Sequence, residues 1–280
     1  MRKQRIFTTG YSRFATEWNE AETKGEQNMN YEMRSPNVVP INDHIWLMDD
    51  HGDATWYVVA GSERAMVIDT SIGLSNVRQE AEKVTGLPLI CVNTHGHGDH
   101  IGGNWSFDRA YMNPADLPMA EESMKWPEVQ EAMRQLGIRF PEFEPIEDGQ
   151  VFDLGGLSLQ TLYLPGHTPG EIVLLDRQDR ILFSGDGIIG HLWLQLEDSL
   201  PVSRQIESME RLLPLRDQFD TILHGHCQRP VGAELFDTLL AALRDLEAGN
   251  TAGDIDYEWH GHVSRAHPYQ PEDRRIVYKG

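Results

Sequence analysis

The sequence is poor in cysteine and in basic residues, and it has no long apolar run. Two cysteines, Cys91 and Cys227, cannot build a disulfide framework in a chain of 280 residues, which favours a reducing, cytoplasmic location. The 24 Lys and Arg against 44 Asp and Glu give a net charge of −20, and such a surface repels a phosphate backbone. No window reaches the roughly 18 apolar residues of a membrane span. We therefore expect a small-molecule substrate, no nucleic acid and no membrane partner, and we leave a homodimer open.

The order of the apolar runs predicts an α/β protein with two similar halves, each a sheet with helices on one face. Residues 1–36 are polar and lack a sustained period, so we interpret them as an arm or extension. Residues 37–280 are interpreted as a single domain with a helical insert near 112–148. The polar tail, with three histidines after residue 259, predicts a surface loop rather than a further metal site.

The densest cluster of metal-binding residue types is the segment Thr94-His95-Gly96-His97-Gly98-Asp99-His100. Three imidazoles and one carboxylate lie within six residues, and zinc-like cations prefer imidazole nitrogen and carboxylate oxygen. His95 and His97 are two residues apart at the end of an apolar strand, so their side chains can point the same way. The glycines let the backbone turn sharply enough for four side chains to converge. The segment therefore predicts a metal site.

Three further candidate ligands follow apolar strands elsewhere in the chain. His167 lies in a Pro-Gly-His-Thr-Pro-Gly turn, Asp186 in Ser-Gly-Asp-Gly, and His226 in His-Gly-His. Each lies just past the carboxyl end of a strand and beside a glycine, which is where an α/β sheet presents its site. One such residue alone would be interpreted as part of a turn, but three in the same context predict that they join the metal site.

The His-x-His-x-Asp-His motif and the lead-in Val67-Ile68-Asp69-Thr70 resemble the metallo-β-lactamase fold superfamily of metal-dependent hydrolases, over roughly residues 38–230. The resemblance implies a four-layer αββα sandwich, with a dinuclear metal site at one edge between the sheets. Asp69 would orient a ligand or its loop. The implied ligands are His95, His97 and His167 for the first metal, Asp99, His100 and His226 for the second, and Asp186 as the bridge.

The last ligand of the superfamily directly follows a glycine, so the resemblance favours His226 over its neighbour His224. The diiron flavoproteins of the superfamily carry a carboxylate where His97 stands, and the zinc β-lactamases lack the bridge that Asp186 would supply. Hydroxyacylglutathione hydrolases, lactonases and small phosphodiesterases remain. The chain lacks the glycine-arginine-phenylalanine stretch of the first group, and Ile189 stands where lactonases have a catalytic tyrosine.

The expected cofactors are two divalent metal ions, with Zn²⁺ first and Mn²⁺ or Fe as alternatives. Such ions lower the pKa of a bound water from about 15.7 to about 7 and polarise the carbonyl under attack. We predict a hydrolase in which metal-bound hydroxide cleaves a small ester, thioester or lactone, with Asp99 also catalytic as a guide for the hydroxide or a proton carrier. The alternatives are a phosphodiesterase of the same fold and a non-catalytic protein that retains its metals.

Loops beyond the strand ends would form the substrate pocket. Methionine and tryptophan at such positions would make an adaptable apolar wall, although the same residues could simply pack against helices. The candidates are Met119, Met124 and Trp126 in the insert and His191 and Trp193 in the stretch 188–196.

Overall fold

The computed structural model describes residues 33–125, 130, 133–135, 137–259, 261–271 and 273–280. The described strands form three sheets, of seven, six and four strands. The predicted arm, residues 1–36, lies almost wholly outside the described residues, and the predicted boundaries of a single domain over 37–280 stay a prediction.

The first sheet follows the order of the chain. Its first four strands pair antiparallel, and the remaining neighbours pair parallel. The carboxyl ends of parallel neighbours lie at the same edge of the sheet, so the loops that follow them are collected there. The strands are β1 (Asn37–Pro40), β2 (Ile45–Asp49), β3 (Thr55–Ala60), β4 (Ala65–Ile68), β5 (Leu89–Val92), β6 (Arg109–Met112) and β7 (Glu142–Pro145).

The other two sheets are formed by the second half of the chain. The six-stranded sheet contains β8 (Val151–Asp153), β9 (Ser158–Tyr163), β10 (Ile172–Asp176), β11 (Ile181–Gly185), β13 (Thr221–His224) and β14 (Val231–Gly232), and the four-stranded sheet contains β12 (His191–Leu194), β15 (Ile255–Trp259), β16 (His262–Tyr269) and β17 (Arg274–Tyr278). Within the six-stranded sheet β11 and β13 pair parallel, so the loops after them emerge side by side.

Five helices are described: α1 (Val77–Val84), α2 (Gly98–Ile101), α3 (Leu117–Met124), α4 (Val202–Leu212) and α5 (Glu234–Glu247). The Asn76 side chain accepts a hydrogen bond from Gln79 N and so caps the start of α1. Short 3₁₀ turns cover Asn104–Ser106, Pro114–Asp116 and Leu213–Gln218. Within the part of the chain that the structure describes, no helix has the length and apolarity needed to cross a bilayer.

The apolar core lies in three layers. Between the two large sheets, residues such as Leu47, Ile68 and Phe183 pack against one another, all at most 1% exposed. On the outer face of the first sheet, α1 packs through Val77 and other apolar side chains. On the outer face of the second sheet, α4 and α5 pack through residues such as Phe236. The order helix, sheet, sheet, helix confirms the predicted four-layer sandwich.

The tail is where the structure departs most from the expectation. The predicted surface loop forms β15, β16 and β17, and β17 pairs parallel with β12. His267 in β16 is 6% exposed, and its Nδ1 lies 2.7 Å from Asp254 Oδ1. The period of two in β15 places Tyr257 and Trp259 on one face, while the charged Asp256 and Glu258 give the segment its polar composition. The average polarity of the tail therefore did not reveal the alternating pattern of this strand.

Candidate metal centre

The predicted ligands lie in loops at one edge of the two large sheets. The loop after β5 carries four of them, His167 lies between β9 and β10, Asp186 follows β11, and His226 follows β13. At this edge Ile172 N donates a hydrogen bond to Thr94 O over 2.9 Å, which joins the two sheets directly. The parallel strand pairs thus explain why residues far apart in sequence meet here.

The ligand atoms of all seven side chains form three overlapping groups. Within each group the atoms lie within 4.8 Å of one another. Asp186 Oδ2 lies 3.1 Å from His226 Nε2 and 3.9 Å from His167 Nε2, so this carboxylate stands between the first and the last group. The groups are His95, His97 and His167; His95, His100 and Asp186; and Asp99, His100 and His226.

Several buried polar atoms in these groups have no hydrogen-bond partner among the described residues. They are His95 Nε2, His100 Nε2 and Asp186 Oδ1. Leaving such atoms unpaired costs about 1–3 kcal/mol each, so the arrangement calls for a group that several nitrogen and oxygen lone pairs can share. A divalent cation is such a group, and the donor set fits one.

Each histidine of the cluster is held through its other ring nitrogen. Metal-binding histidines in proteins use this second nitrogen to contact a carboxylate, a carbonyl or another polar group, which fixes the ring and its tautomer. The anchored pairs are His95 Nδ1 with Thr94 Oγ1 (3.0 Å), His97 Nε2 with Asp198 Oδ2 (3.1 Å), His100 Nδ1 with Asp69 Oδ2 (3.0 Å), His167 Nδ1 with Trp193 O (2.7 Å) and His226 Nδ1 with Asp53 O (2.9 Å).

Asp69 takes the orienting position that the resemblance implied. Besides its contact with His100, it accepts hydrogen bonds from Thr94 N (2.8 Å) and Thr94 Oγ1 (2.7 Å). Its φ of 60° lies in the left-handed region, which aspartate tolerates better than most residues. The turn after β4 therefore supports both the start of the ligand loop and one of its histidines.

Asp116, a buried carboxylate that sequence reasoning missed, ties two ligand loops together. It accepts hydrogen bonds from Gly96 N (3.0 Å), Thr168 Oγ1 (2.7 Å) and Gly170 N (2.6 Å). The loop of His95 and His97 is thereby joined to the loop of His167. Burial raises the pKa of Asp116, which is 0% exposed. Nothing in the sequence distinguishes Asp116 from the other acidic residues.

Glu171 is a second buried carboxylate, and it holds the loop that carries Asp186. Its Oε1 accepts hydrogen bonds from Asp186 N (3.0 Å) and Gly187 N (3.1 Å). Burial raises the pKa of Glu171 well above its usual value, and the nearby carboxylates of Asp186 and Asp116 raise it further. Sequence reasoning missed this residue too, because it follows the recognisable turn around His167 and stands at the start of a buried strand.

Two glycines allow the loops to approach this closely. Gly185 has φ of +50°, and a Cβ there would lie 2.6 Å from Thr94 Oγ1 and would overlap Glu171 Oε1. A Cβ on Gly225 would overlap Asp186 Oδ1 and His100 Cε1. Both positions therefore require glycine, and the second leaves free the space beside the unpaired Asp186 Oδ1.

The surroundings of the cluster shift the pKa values of its histidines in different directions. Burial and the neighbouring imidazoles lower the pKa of His95 well below its usual value, and burial with His97 lowers the pKa of His167 to about 4. Burial also opposes charge on His100 and His226, but the carboxylates outweigh it: Asp186 first, then Asp99. They raise the pKa of His100 well above its usual value and that of His226 to about 9. Burial opposes charge on His97 too, but the hydrogen bond to Asp198 and the charge of that carboxylate raise its pKa.

His226, rather than His224, joins the ligand groups. His224 ends β13, its carbonyl accepts a hydrogen bond from Tyr57 Oη (2.6 Å), and its Nδ1 accepts one from His226 N (3.3 Å). Burial lowers the pKa of His224 to about 4. The geometry gives His224 a supporting role in the loop.

The predicted pocket residues lie in different positions relative to the cluster. Met119 is half-buried, and its Cε would be 3.5 Å from a Cβ on Gly96. His191 and Trp193 are half-buried on β12, and Trp193 also supplies the carbonyl that anchors His167. Met124 is half-buried at the end of α3, and Trp126 lies outside the described residues.

Comparison with known proteins identifies the family. Residues 49–226 match the metallo-beta-lactamase superfamily. The human acyl-coenzyme A thioesterase MBLAC2 is 33% identical over 205 residues, which cover 62% of this chain and 72% of that protein. A metallo-beta-lactamase from Pontibacter korlensis superposes with a TM-score of 0.60 at 20% identity, over 75% of this chain and 99% of that one. TTHA1623, solved in a di-iron-bound form, superposes with a TM-score of 0.52 at 28% identity, over 71% of this chain and 95% of that one.

Proposed function

The chain belongs to the metallo-beta-lactamase superfamily, and we propose that it hydrolyses thioesters with two divalent metal ions at the cluster described above. One observation carries the proposal. Seven side chains with nitrogen or oxygen ligand atoms come together, and three of those atoms are buried without a hydrogen-bond partner among the described residues. The likeness to an acyl-coenzyme A thioesterase supports a thioester rather than another activated acyl bond. The proposed ligand sets are His95, His97 and His167; Asp99, His100 and His226; and Asp186 shared between them.

Divalent ions bound at such a site lower the pKa of water and polarise the carbonyl oxygen of a substrate. The protein's part is to hold the reacting groups in position. The anchors on the second nitrogens fix the five imidazole rings. Asp116 joins the loop of His95 and His97 to that of His167, and Glu171 holds the loop of Asp186. Fixed polar groups cost no reorganisation when charge develops on the attacked carbonyl, and this is the general source of electrostatic catalysis.

Asp99 is the proposed proton carrier. Its Oδ2 lies 3.6 Å from His226 Nε2 and 4.0 Å from His100 Nε2, and its side chain is 16% exposed. Unlike the fully buried His100, it can therefore reach both the cluster and an incoming substrate. In the proposed reaction water adds to the thioester carbonyl, Asp99 takes its proton, and the carbon–sulfur bond breaks. The proton then passes to the departing sulfur, which leaves as a thiol beside the carboxylic acid.

Zinc is the proposed metal, because imidazole and carboxylate suit it, but a relative solved with two irons makes iron the alternative to test. The proposed setting is cytoplasmic, since both Cys91 and Cys227 are free and buried. The proposed substrate is a small molecule.

A panel of matched substrates tests the proposal. Metal-loaded protein, with its metal content measured by elemental analysis, is assayed against an acyl thioester, the corresponding oxygen ester, a lactone and a phosphodiester. We expect two metals per chain and the highest kcat/KM on the thioester. Asp99→Asn is the companion variant: it should lose most of the thioesterase activity and bind the second metal more weakly, because Asp99 is also a proposed ligand of that metal.

Other results would contradict the proposal in distinct ways. Preference for the phosphodiester would make the chain a phosphodiesterase of the same fold. Two bound metals without turnover of any panel member would indicate a binding protein. A protein that retains no transition metal after purification, and takes up none when metal salts are added, would remove the basis of the proposal altogether.

A further inference from the structure

One face of the four-stranded sheet carries aromatic side chains. His191 and Trp193 alternate on β12 with buried leucines, so they share a face, and His191 stands opposite Arg275 in the register with β17. Tyr257 and Trp259 share a face of β15. Ring contacts bring the two strands' side chains together. We call this set, His191, Trp193, Tyr257, Trp259 and Arg275, the aromatic face.

The aromatic face is the concave side of a curled sheet. β12 and β15 are the two edge strands, with β17 and β16 between them. Nevertheless the ring centroids of Trp193 and Trp259 are 5.0 Å apart, and those of His191 and Tyr257 are 5.5 Å apart. Such contacts across two intervening strands require strong curvature. The opposite face packs into the core through residues such as Ile276.

The aromatic face adjoins the metal centre. The carbonyl of Trp193 is the anchor of His167, at 2.7 Å from His167 Nδ1. The pKa of His191 is lowered to about 4, mainly by burial and then by the charges of Arg275 and His226. His191 is therefore close enough to Arg275 and to His226 to feel their charges. A substrate bound with its reacting carbon at the metal centre would therefore extend over these rings.

Polar atoms on and beside this face lack protein partners. Arg275 is half-buried, yet within the described part of the chain its guanidinium makes no ion pair, no hydrogen bond and no stacking contact with a ring. Several other arginines of this acidic chain pair with carboxylates, as Arg244 does with Glu210. His191 Nε2 and the amide of Gln195, just after β12, are buried without a partner among the described residues. A guanidinium without a carboxylate partner among the described residues is available to pair with an anionic group of a ligand.

We propose that the aromatic face binds the acyl part of the substrate and that Arg275 pairs with an anionic group of the same molecule. This inference rests on the proposed function, since it assumes a thioester at the metal centre. The rings supply an apolar surface for an acyl group, and the guanidinium supplies the positive charge that an anionic ligand needs near a strongly acidic protein. The anion is a carboxylate on the acyl group or a phosphate on the thiol carrier.

Binding of non-hydrolysable thioethers distinguishes these two sources. Four compounds are compared by calorimetry: S-octyl-coenzyme A, S-(7-carboxyheptyl)-coenzyme A and the two matching N-acetylcysteamine thioethers, which lack phosphate. We expect Arg275→Met to weaken the binding of the compounds that carry the paired anion by about tenfold or more, as for a charge-assisted pair. Arg275→Lys should retain part of the affinity. Arg177→Met removes the same charge from the exposed turn between β10 and β11 and should change nothing.

The pattern of loss identifies the anion. Loss confined to the coenzyme A compounds assigns Arg275 to a carrier phosphate, and loss confined to the carboxyheptyl compounds assigns it to an acyl carboxylate. Equal loss on all four, including the uncharged S-octyl-N-acetylcysteamine, or no loss on any, would overturn the pairing. Because binding is measured without turnover, tight binding by a protein that hydrolyses no thioester would contradict the proposed function alone.

A second variant tests the rings. Trp259 lies on β15, the edge strand opposite β12, and its ring contacts that of Trp193. Trp259→Ala should reduce the gain in affinity between S-butyl- and S-octyl-coenzyme A, while the S-butyl compound binds nearly as before. An unchanged gain with chain length would show that the acyl group lies elsewhere.

Discussion

The first four proposed ligands and the last three are held in different ways. His95 to His100 form one segment whose backbone is fixed by near neighbours: Asn93 Nδ2 donates to His100 O (3.2 Å), and Asn104 Nδ2 donates to Asn93 Oδ1 (2.8 Å). His167, Asp186 and His226 stand on separate loops. Each of these depends on a contact far away in sequence, such as Asp53 O for His226. The first four ligands are neighbours in the sequence, whereas the last three come together only when the whole domain is assembled.

Removing the group shared by both parts should have the largest effect. Asp186→Ala takes away the carboxylate that lies near both His226 and His167. We expect the metal content to fall from two toward one and kcat to fall by more than about a hundredfold, the upper end of the effect of groups that merely orient ligands. Elemental analysis and steady-state kinetics measure both. An unchanged metal stoichiometry would contradict the shared role.

The loss of the carboxylate that joins the two parts should have the second-largest effect. Asp116→Ala leaves the N–H groups of Gly96 and Gly170 without their acceptor, and each buried donor costs about 1–3 kcal/mol. We expect about 3 kcal/mol less free energy of unfolding in urea, together with weaker metal binding.

Thr168→Val is the matched control for Asp116, because it removes only one of the three hydrogen bonds. It should cost about 1 kcal/mol and leave the metal content unchanged. If Asp116→Ala proved no more harmful than Thr168→Val, the carboxylate would not be what joins the two loops.

The compact segment also has distant anchors, and the loss of Asp198, which is one of them, should have a smaller effect. Asp198 Oδ2 holds His97 Nε2 at 3.1 Å, and its side chain is 31% exposed. Asp198→Ala should weaken metal binding by about 10–100-fold, measured by competition with a chelator, with little change in unfolding free energy. Equal losses of metal affinity and stability would assign Asp198 a general structural role instead.

The smallest effect is expected at His224. His224→Ala removes a support of the last loop but no proposed ligand, so the metal content should stay near two per chain. The affinity for metal should change by less than about tenfold, below the loss expected for Asp198. Loss of one metal in this variant, with His226→Ala retaining both, would show that the two histidines have exchanged roles.

The comparison also explains what the sequence could predict. Most of the strands around the site and α1 are visible as short apolar runs, and the His95–His100 segment is visible as a dense motif. His167, Asp186 and His226 could be found because each follows a strand and adjoins a glycine. Asp116, Glu171 and Asp198 could not, because a carboxylate whose partners lie elsewhere in the chain has no local pattern; only folding brings those partners to it.

The sequence did not predict the four-stranded sheet, for a related reason. β15 alternates apolar and charged residues, and β17 contains the basic pair Arg274 and Arg275, so average composition indicated a surface loop. These strands are stabilised by pairing with one another, and β17 also pairs with β12, which lies about eighty residues earlier in the chain. Pairing at that separation is set by the assembled core rather than by local preference.

The two cysteines have a practical consequence for the laboratory. Cys91 is 1% exposed and Cys227 is 3% exposed with its Sγ 2.8 Å from Tyr57 Oη, and burial raises the pKa of both thiols, that of Cys227 to about 11. Neither side chain offers a reactive thiolate at neutral pH. A chromogenic disulfide reagent that counts liberated sulfhydryls can therefore follow turnover continuously, with little background from the folded catalyst and without damaging it.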